Sequence, residues 1–118
     1  MRLLLLDRRA LENRFGEKPD LSPLRALGEL IVFEESSPLE SFDRVKGADV
    51  VLTVSVPVSR PFLDWAPRVR HAVLLGGSES GVDDVAASDL GVTVTVAGGS
   101  SVGEVIAAAA EAVRREYG

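Results

Sequence analysis

The stretch His71-Ala-Val-Leu-Leu-Gly-Gly-Ser-Glu-Ser-Gly-Val-Asp-Asp84 decides the reading of this chain. Ala72–Leu75 is a short apolar run, and a glycine pair and polar residues follow it. Ser80-Gly-Val-Asp83 then has the pattern of a helix start, with Ser80 as N-cap and an acid three residues on. The stretch is therefore a strand, a glycine turn and a helix N-terminus. In an open α/β sheet, ligands bind at the carboxyl ends of strands, and this turn lies at such an end.

The same unit recurs on both sides of it. Upstream, Leu3–Leu6 is a continuous apolar run ending at Asp7, as expected of a strand buried on both faces. Arg8–Asp20 is polar, with one helical turn expected at Ala10–Phe15. Ser22-Pro23 opens a short helix, Ser22 as N-cap and Pro23 at N1, which closes at Gly28. Glu29–Glu34 is the second strand. Ser37-Pro38-Leu39-Glu40 combines a capping box with proline at N1. Its helix carries Leu39, Phe42 and Val45 at helical spacing and ends at Gly47. Ala48–Thr53 is the third strand, Ser59–Trp65 a short helix, and Val69–Leu75 the fourth strand.

Downstream, Val82–Leu90 is a helix ending at Gly91, and Val92–Val96 is a β-branched fifth strand. Ser101-Val-Gly-Glu104 is a second capping box. Val102, Val105, Ile106, Ala109, Val113 and Tyr117 then form one apolar stripe, with Arg114 and Arg115 where cations suit the helix dipole. Strand and helix alternate five times with short connections. This predicts an α/β, flavodoxin-like three-layer sandwich: a five-stranded parallel sheet of order 2-1-3-4-5 with helices on both faces.

The bulk numbers narrow the function. A chain of 118 residues is one domain. A net charge of -5 argues against nucleic acid, whose binders present a basic face. With no cysteine, thiolate catalysis and Cys-ligated metal are excluded. No apolar run approaches the ~20 residues a membrane helix needs, so no membrane association and a cytoplasmic location are expected. His71 is the one imidazole and starts a strand, away from the ligand end, so it reads as structural.

Candidate chemistry is sparse. Asp7 could belong to a receiver-type Mg²⁺ site, but the third strand ends Thr53-Val54-Ser55 where such a site needs a further acid. Asp7 reads as a helix or turn cap. The Asp7-Arg-Arg turn is no phosphate cradle for FMN. Gly99-Ser-Ser101-Val-Gly103 matches a nucleophile elbow, yet no histidine follows it, and Ser101 reads as an N-cap. Gly76-Gly77-Ser78 and Gly98-Gly99-Ser100 read as tight turns before they read as anion sites; neither is G-x-G-x-x-G. Trp65 and Tyr117 are expected to pack against the sheet.

Three passages carry a resemblance: Asp20–Glu29, Ala48–Val58 and Leu74–Val94. Together they resemble the substrate-binding domain of D-isomer-specific 2-hydroxyacid dehydrogenases, which is flavodoxin-like and packs beside an inserted NAD-binding Rossmann domain. The resemblance divides the single domain 1–118 into 1–95, similar to the amino-terminal part, and 96–118, similar to the family's closing helix. It implies that the NAD domain is missing and that the chain is an isolated or engineered domain. The family's catalytic histidine would fall near Thr93-Val94-Thr95 and is absent; its catalytic Arg and Glu lie in the missing domain. No catalysis and no cofactor of the chain's own are therefore expected. The resemblance also implies a vestigial substrate site in the backbone amides of Leu75, Gly76, Gly77, Ser78 and Glu79, with small carboxylate anions as ligands. A third reading is a docking module for a separate NAD domain. It would expose an apolar patch including Val54, Val56 and Val58, in a monomer or weak homodimer.

Overall fold

The computed structural model describes residues 1–76 and 81–117. In chain order the elements are β1 (Arg2–Leu5), α1 (Arg8–Phe15), α2 (Ser22–Arg25), β2 (Glu29–Val32), α3 (Pro38–Arg44), β3 (Val50–Thr53), α4 (Arg60–Asp64), β4 (His71–Leu75), α5 (Asp84–Asp89), β5 (Thr93–Ala97) and α6 (Val102–Tyr117). The strands form one five-stranded parallel sheet of order β2-β1-β3-β4-β5. This is the flavodoxin-like order that the alternating pattern predicts.

Side chains alternate across a strand, and a central parallel strand must bury both sets. Leu3 and Leu5 of β1 join Val50, Leu52, Val73 and Leu75 in a core closed by α1, α2 and α6. Leu4 and Leu6 join Val51, Ala72 and Leu74 in a second core, closed by Val45 after α3, Phe62 and Leu63 of α4, and Ala86 and Ala87 of α5. The α6 stripe meets the first core: Val102, Val105, Ile106, Ala109 and Val113 are all buried. Full burial of one such aliphatic side chain is worth about 1.5–3 kcal/mol.

Helix starts follow the local chemistry. Ser37 and Glu40 form a reciprocal capping box, with the Glu40 N–H donating to Ser37 Oγ at 3.1 Å and the Ser37 N–H to Glu40 Oε1 at 3.0 Å. Ser101 and Glu104 repeat it at α6. The Ser59 hydroxyl accepts from the Phe62 N–H and caps α4.

Several expectations need correction. The helix expected over 82–90 is the shorter α5, and its cap is Asp83, whose side chain accepts from the Ala86 N–H; Ser80 lies outside the described residues. Ser22 is the first helical residue of α2 rather than its cap, because the Asp20 carboxylate takes the Ser22 N–H and hydroxyl. The single turn expected at 10–15 is a full helix from Arg8, tied by the Arg8–Glu12 ion pair and by Leu11, which is buried in the first core. All strands but the first and last are shorter than the apolar runs imply, since only the paired backbone counts as strand. The first and last keep their length but are displaced by one residue, to Arg2–Leu5 and Thr93–Ala97. Trp65 is not enclosed against the sheet as expected: it is half exposed, and Lys46 Nζ sits 4.8 Å from its ring centroid. Tyr117 leaves the stripe at the surface, its hydroxyl donating to the Asp49 carbonyl at 3.2 Å.

Candidate functional site

The candidate site is the carboxyl end of the sheet, where the turns after β1, β3, β4 and β5 converge. The enclosed acid there is Asp7, which is 3% exposed despite its charge-bearing side chain. Asp7 occupies the N-cap position of α1 but makes no cap bond there. Its carboxylate instead reaches the turn after β3. Oδ1 accepts from the Val54 N–H at 2.9 Å, and Oδ2 accepts from the Ser55 N–H at 2.7 Å and the Ser55 hydroxyl at 2.8 Å. The Thr53 hydroxyl accepts from the Val56 N–H at 2.9 Å and completes the turn. The carboxylate is thus a turn cap, and its acceptor capacity is spent on this chain. Among the described residues, no group of three His, Cys, Asp or Glu side chains could hold a metal ion.

Beside Asp7 opens a cleft of about 300 Å³ lined by Asp7, Arg9, Asn13, Glu35, Ser36 and Ser55. Arg9 pairs with Glu35 and Arg8 with Glu34, so the cations here are balanced by acids. Arg8 binds its proton more tightly than an ordinary guanidinium, and Glu34 sits below the usual carboxylate range, each because of the hydrogen bond between them. The first amides of α1 are occupied: the Arg8 N–H donates to the Phe33 carbonyl and the Arg9 N–H to the Glu34 carbonyl, both at 3.0 Å. A dinucleotide or flavin phosphate needs free amides at the turn after the first strand. Here they are spent and a carboxylate stands beside them, so these residues do not fit such a cofactor.

The glycine turn after β4 is partly described. Leu75 is fully buried in the sheet. Gly76 turns at φ +90, and its N–H donates to the Ala97 carbonyl at 2.9 Å. Its carbonyl accepts from Arg14 Nη1 at 3.3 Å. Gly77, Ser78 and Glu79 lie outside the described residues. Of the five residues expected to form an anion site, one is enclosed and one has its amide engaged. The structure adds Arg14, a cation at the turn that the sequence reading missed. Arg14 lies in the helical turn expected at 10–15, but local spacing carries no signal for its contact with a glycine 62 residues away.

The elbow-like stretch is explained by packing. A side chain at Gly99 would place Cβ 2.7 Å from Glu104 Cβ and 3.1 Å from the Val105 nitrogen, so glycine lets the chain cross the start of α6. Ser100 donates its N–H and hydroxyl to the Glu104 carboxylate, and Ser101 Oγ accepts from the Glu104 N–H. Neither serine has a histidine beside it. His71 lies at the opposite end of the sheet, 1% exposed, with Nε2 2.7 Å from Thr95 Oγ1. The valines expected on an exposed patch are largely enclosed: Val56 and Val58 are buried in the second core, and only Val54 is partly exposed.

No protein-family profile matches the chain. A Haemophilus influenzae protein described as a 2-hydroxyacid dehydrogenase is 34% identical over 62 residues, covering 52% of this chain and 20% of that protein. In fold, the chain is similar to D-lactate dehydrogenase from Escherichia coli, with a TM-score of 0.63 and 22% identity over 81% of this chain and 30% of that one. It is similar also to an NAD-dependent formate dehydrogenase from Staphylococcus aureus in complex with NAD, with a TM-score of 0.59 and 19% identity over 82% and 31%. The fold is that of one domain of a D-2-hydroxyacid dehydrogenase. The chain spans about 30% of the length of those solved structures. Among its described residues no helix is long and apolar enough to cross a membrane.

Proposed function

We propose that this chain is a flavodoxin-like domain of the substrate-binding type found in D-2-hydroxyacid dehydrogenases, without catalytic activity or cofactor of its own. The observation that carries this is the position of His71. The one imidazole of the chain is enclosed at the amino end of the sheet, bonded to Thr95, on the far side from every candidate ligand turn. A general base must reach its proton within hydrogen-bond distance of the substrate, and His71 is not placed to do so. Hydride transfer further needs a cofactor held against the substrate, and the spent amides at the turn after β1 do not offer that.

Incubation with NADH and glyoxylate tests this reading. NADH absorbance is expected to fall no faster than in buffer. Protein-dependent oxidation of NADH, proportional to chain concentration, overturns it.

A second reading, weak binding of small carboxylates, draws on Arg14. Its guanidinium sits against the Gly76 carbonyl and brings a cation to the turn. A two-dimensional amide NMR titration with glyoxylate, phosphate, NADH and FMN in turn separates the readings. Shifts confined to residues near Gly76 with glyoxylate favour the anion binder. No shift at millimolar ligand leaves a folded domain with no retained site.

A further inference from the structure

His71 is a buried group to which neither reading gives a ligand or a chemical role. It is 1% exposed and starts β4, on the same side of the strand as Val73 and Leu75, which pack in the core closed by α6. Nε2 is 2.7 Å from the Thr95 hydroxyl, while Nδ1 is enclosed with no partner among the described residues. A neutral imidazole tolerates this, because the unpartnered nitrogen is then a bare acceptor with Nε2–H donating to Thr95. A protonated ring does not, since it carries an N–H on both nitrogens and adds a charge in an enclosed site.

We propose that His71 makes the seam between the end of α6 and strands β4 and β5 acid-labile: protonation of its ring favours an opened form in which the last turn of α6 has lifted. The neighbours from each packed element are few. From β3 the partner in register is Val50, which is uncharged, preceded by Asp49. From β5 come the hydroxyls of Thr93 and Thr95. From α6 come Val113, Glu116, whose carboxylate accepts from the Thr93 hydroxyl, and Tyr117, bonded to the Asp49 carbonyl. Arg70 precedes β4. Glu116 is the one charge that favours the protonated ring, and it is exposed and screened. Burial outweighs it, so His71 gives up its proton more readily than a free histidine. The last turn of α6 is held by two surface bonds, Glu116 to Thr93 and Tyr117 to Asp49, and is the cheapest part of the lid to lift.

The direction follows from linkage. The native base binds its proton less well than the unfolded one, whose pKa is about 6.5. Stability is therefore full above that value and is lost as pH falls below it, until the native ring itself protonates. His71 is the only side chain here that ordinarily titrates in this window, because the chain has one histidine and no cysteine.

Three measurements test the proposal. The ring proton signals of His71 in the folded protein are expected to titrate with a midpoint below about 6.5; a midpoint at or above that value overturns it. Between about pH 7.5 and about 5.5 the folded-to-unfolded ratio of the unmodified chain is expected to fall by up to roughly tenfold, lowering Tm by about 5 °C. His71→Gln, which cannot titrate, is expected to lose that dependence; parallel curves for the two overturn it. If His71→Gln does not fold, the surface variant Glu116→Gln serves. By removing a bond to Thr93 it is expected to speed exchange at residues 113–117 in the folded protein, and unchanged exchange there overturns the seam. Hydrogen exchange, corrected for intrinsic rate, is expected to accelerate first at residues 113–117 as pH falls; uniform loss of protection overturns the local opening.

Discussion

The two faces of the sheet are covered by different means. On one, the 16-residue α6 lays a continuous stripe from Val102 to Val113 over β1, β3, β4 and β5, with α1 and α2 filling the flank. On the other, three short helices, α3, α4 and α5, share the work and bury only a few side chains each. Among the described residues, four of the six large exposed apolar side chains fall on that second face, with Leu39 77% exposed, Val85 69%, Trp65 50% and Leu90 43%; the others are Met1 and Tyr117. A helix of four turns holds enough stripe positions to dictate its own rotation. A helix of one or two turns is oriented by its caps and connections, and some apolar residues end up outside.

The comparison can be broken or sharpened by substitution. Ile106→Asp or Val105→Asp puts an unpaired charge under α6 and is expected to abolish folding, a loss on the order of the whole stability of a small domain. Circular dichroism and thermal melting check it, and an unchanged Tm for both would mean that α6 presents a different face. Phe62→Ala opens a cavity in the other core at a cost of about 3–5 kcal/mol, read from denaturant midpoints. If that cost is under about 1 kcal/mol, the short-helix face is loosely packed and the contrast deepens.

Asp7→Ala strands the Val54 and Ser55 amides that its carboxylate holds and is expected to cost about 2–4 kcal/mol, with amide shifts concentrated at residues 53–56. A loss within experimental error would show that this turn is held by its backbone alone. The smallest effect is at the surface. Trp65→Ser removes an exposed ring and its contact with Lys46, and stability should move by no more than about 1 kcal/mol. A larger loss would show that Trp65 covers the second core more than its exposure indicates.

The fold was more legible than the site. The α6 stripe, the capping boxes at Ser37 and Ser101, and the alternation of strand and helix all depend on residues three or four positions apart, so they stand in the sequence as spacing. Leu39 and Trp65 were misjudged because, on a short helix, hydrophobic spacing does not say which side faces the sheet. The candidate site resisted reading for another reason. Whether Gly76 offers its amide depends on the Ala97 carbonyl, and the role of Arg14 depends on a glycine 62 residues later.

By itself, the sequence determined the order of the elements, the parallel sheet they must form and the caps that start the main helices. These follow from local spacing and from the need of each apolar run to be buried. Only the tertiary structure decided that Asp7 holds a turn 47 and 48 residues away, that the amides at the start of α1 are spent on the end of β2, and that His71 is enclosed with one nitrogen unpartnered. A polar group's chemistry is set by whichever partners reach it in the folded chain, and those partners arrive from strands far apart in sequence.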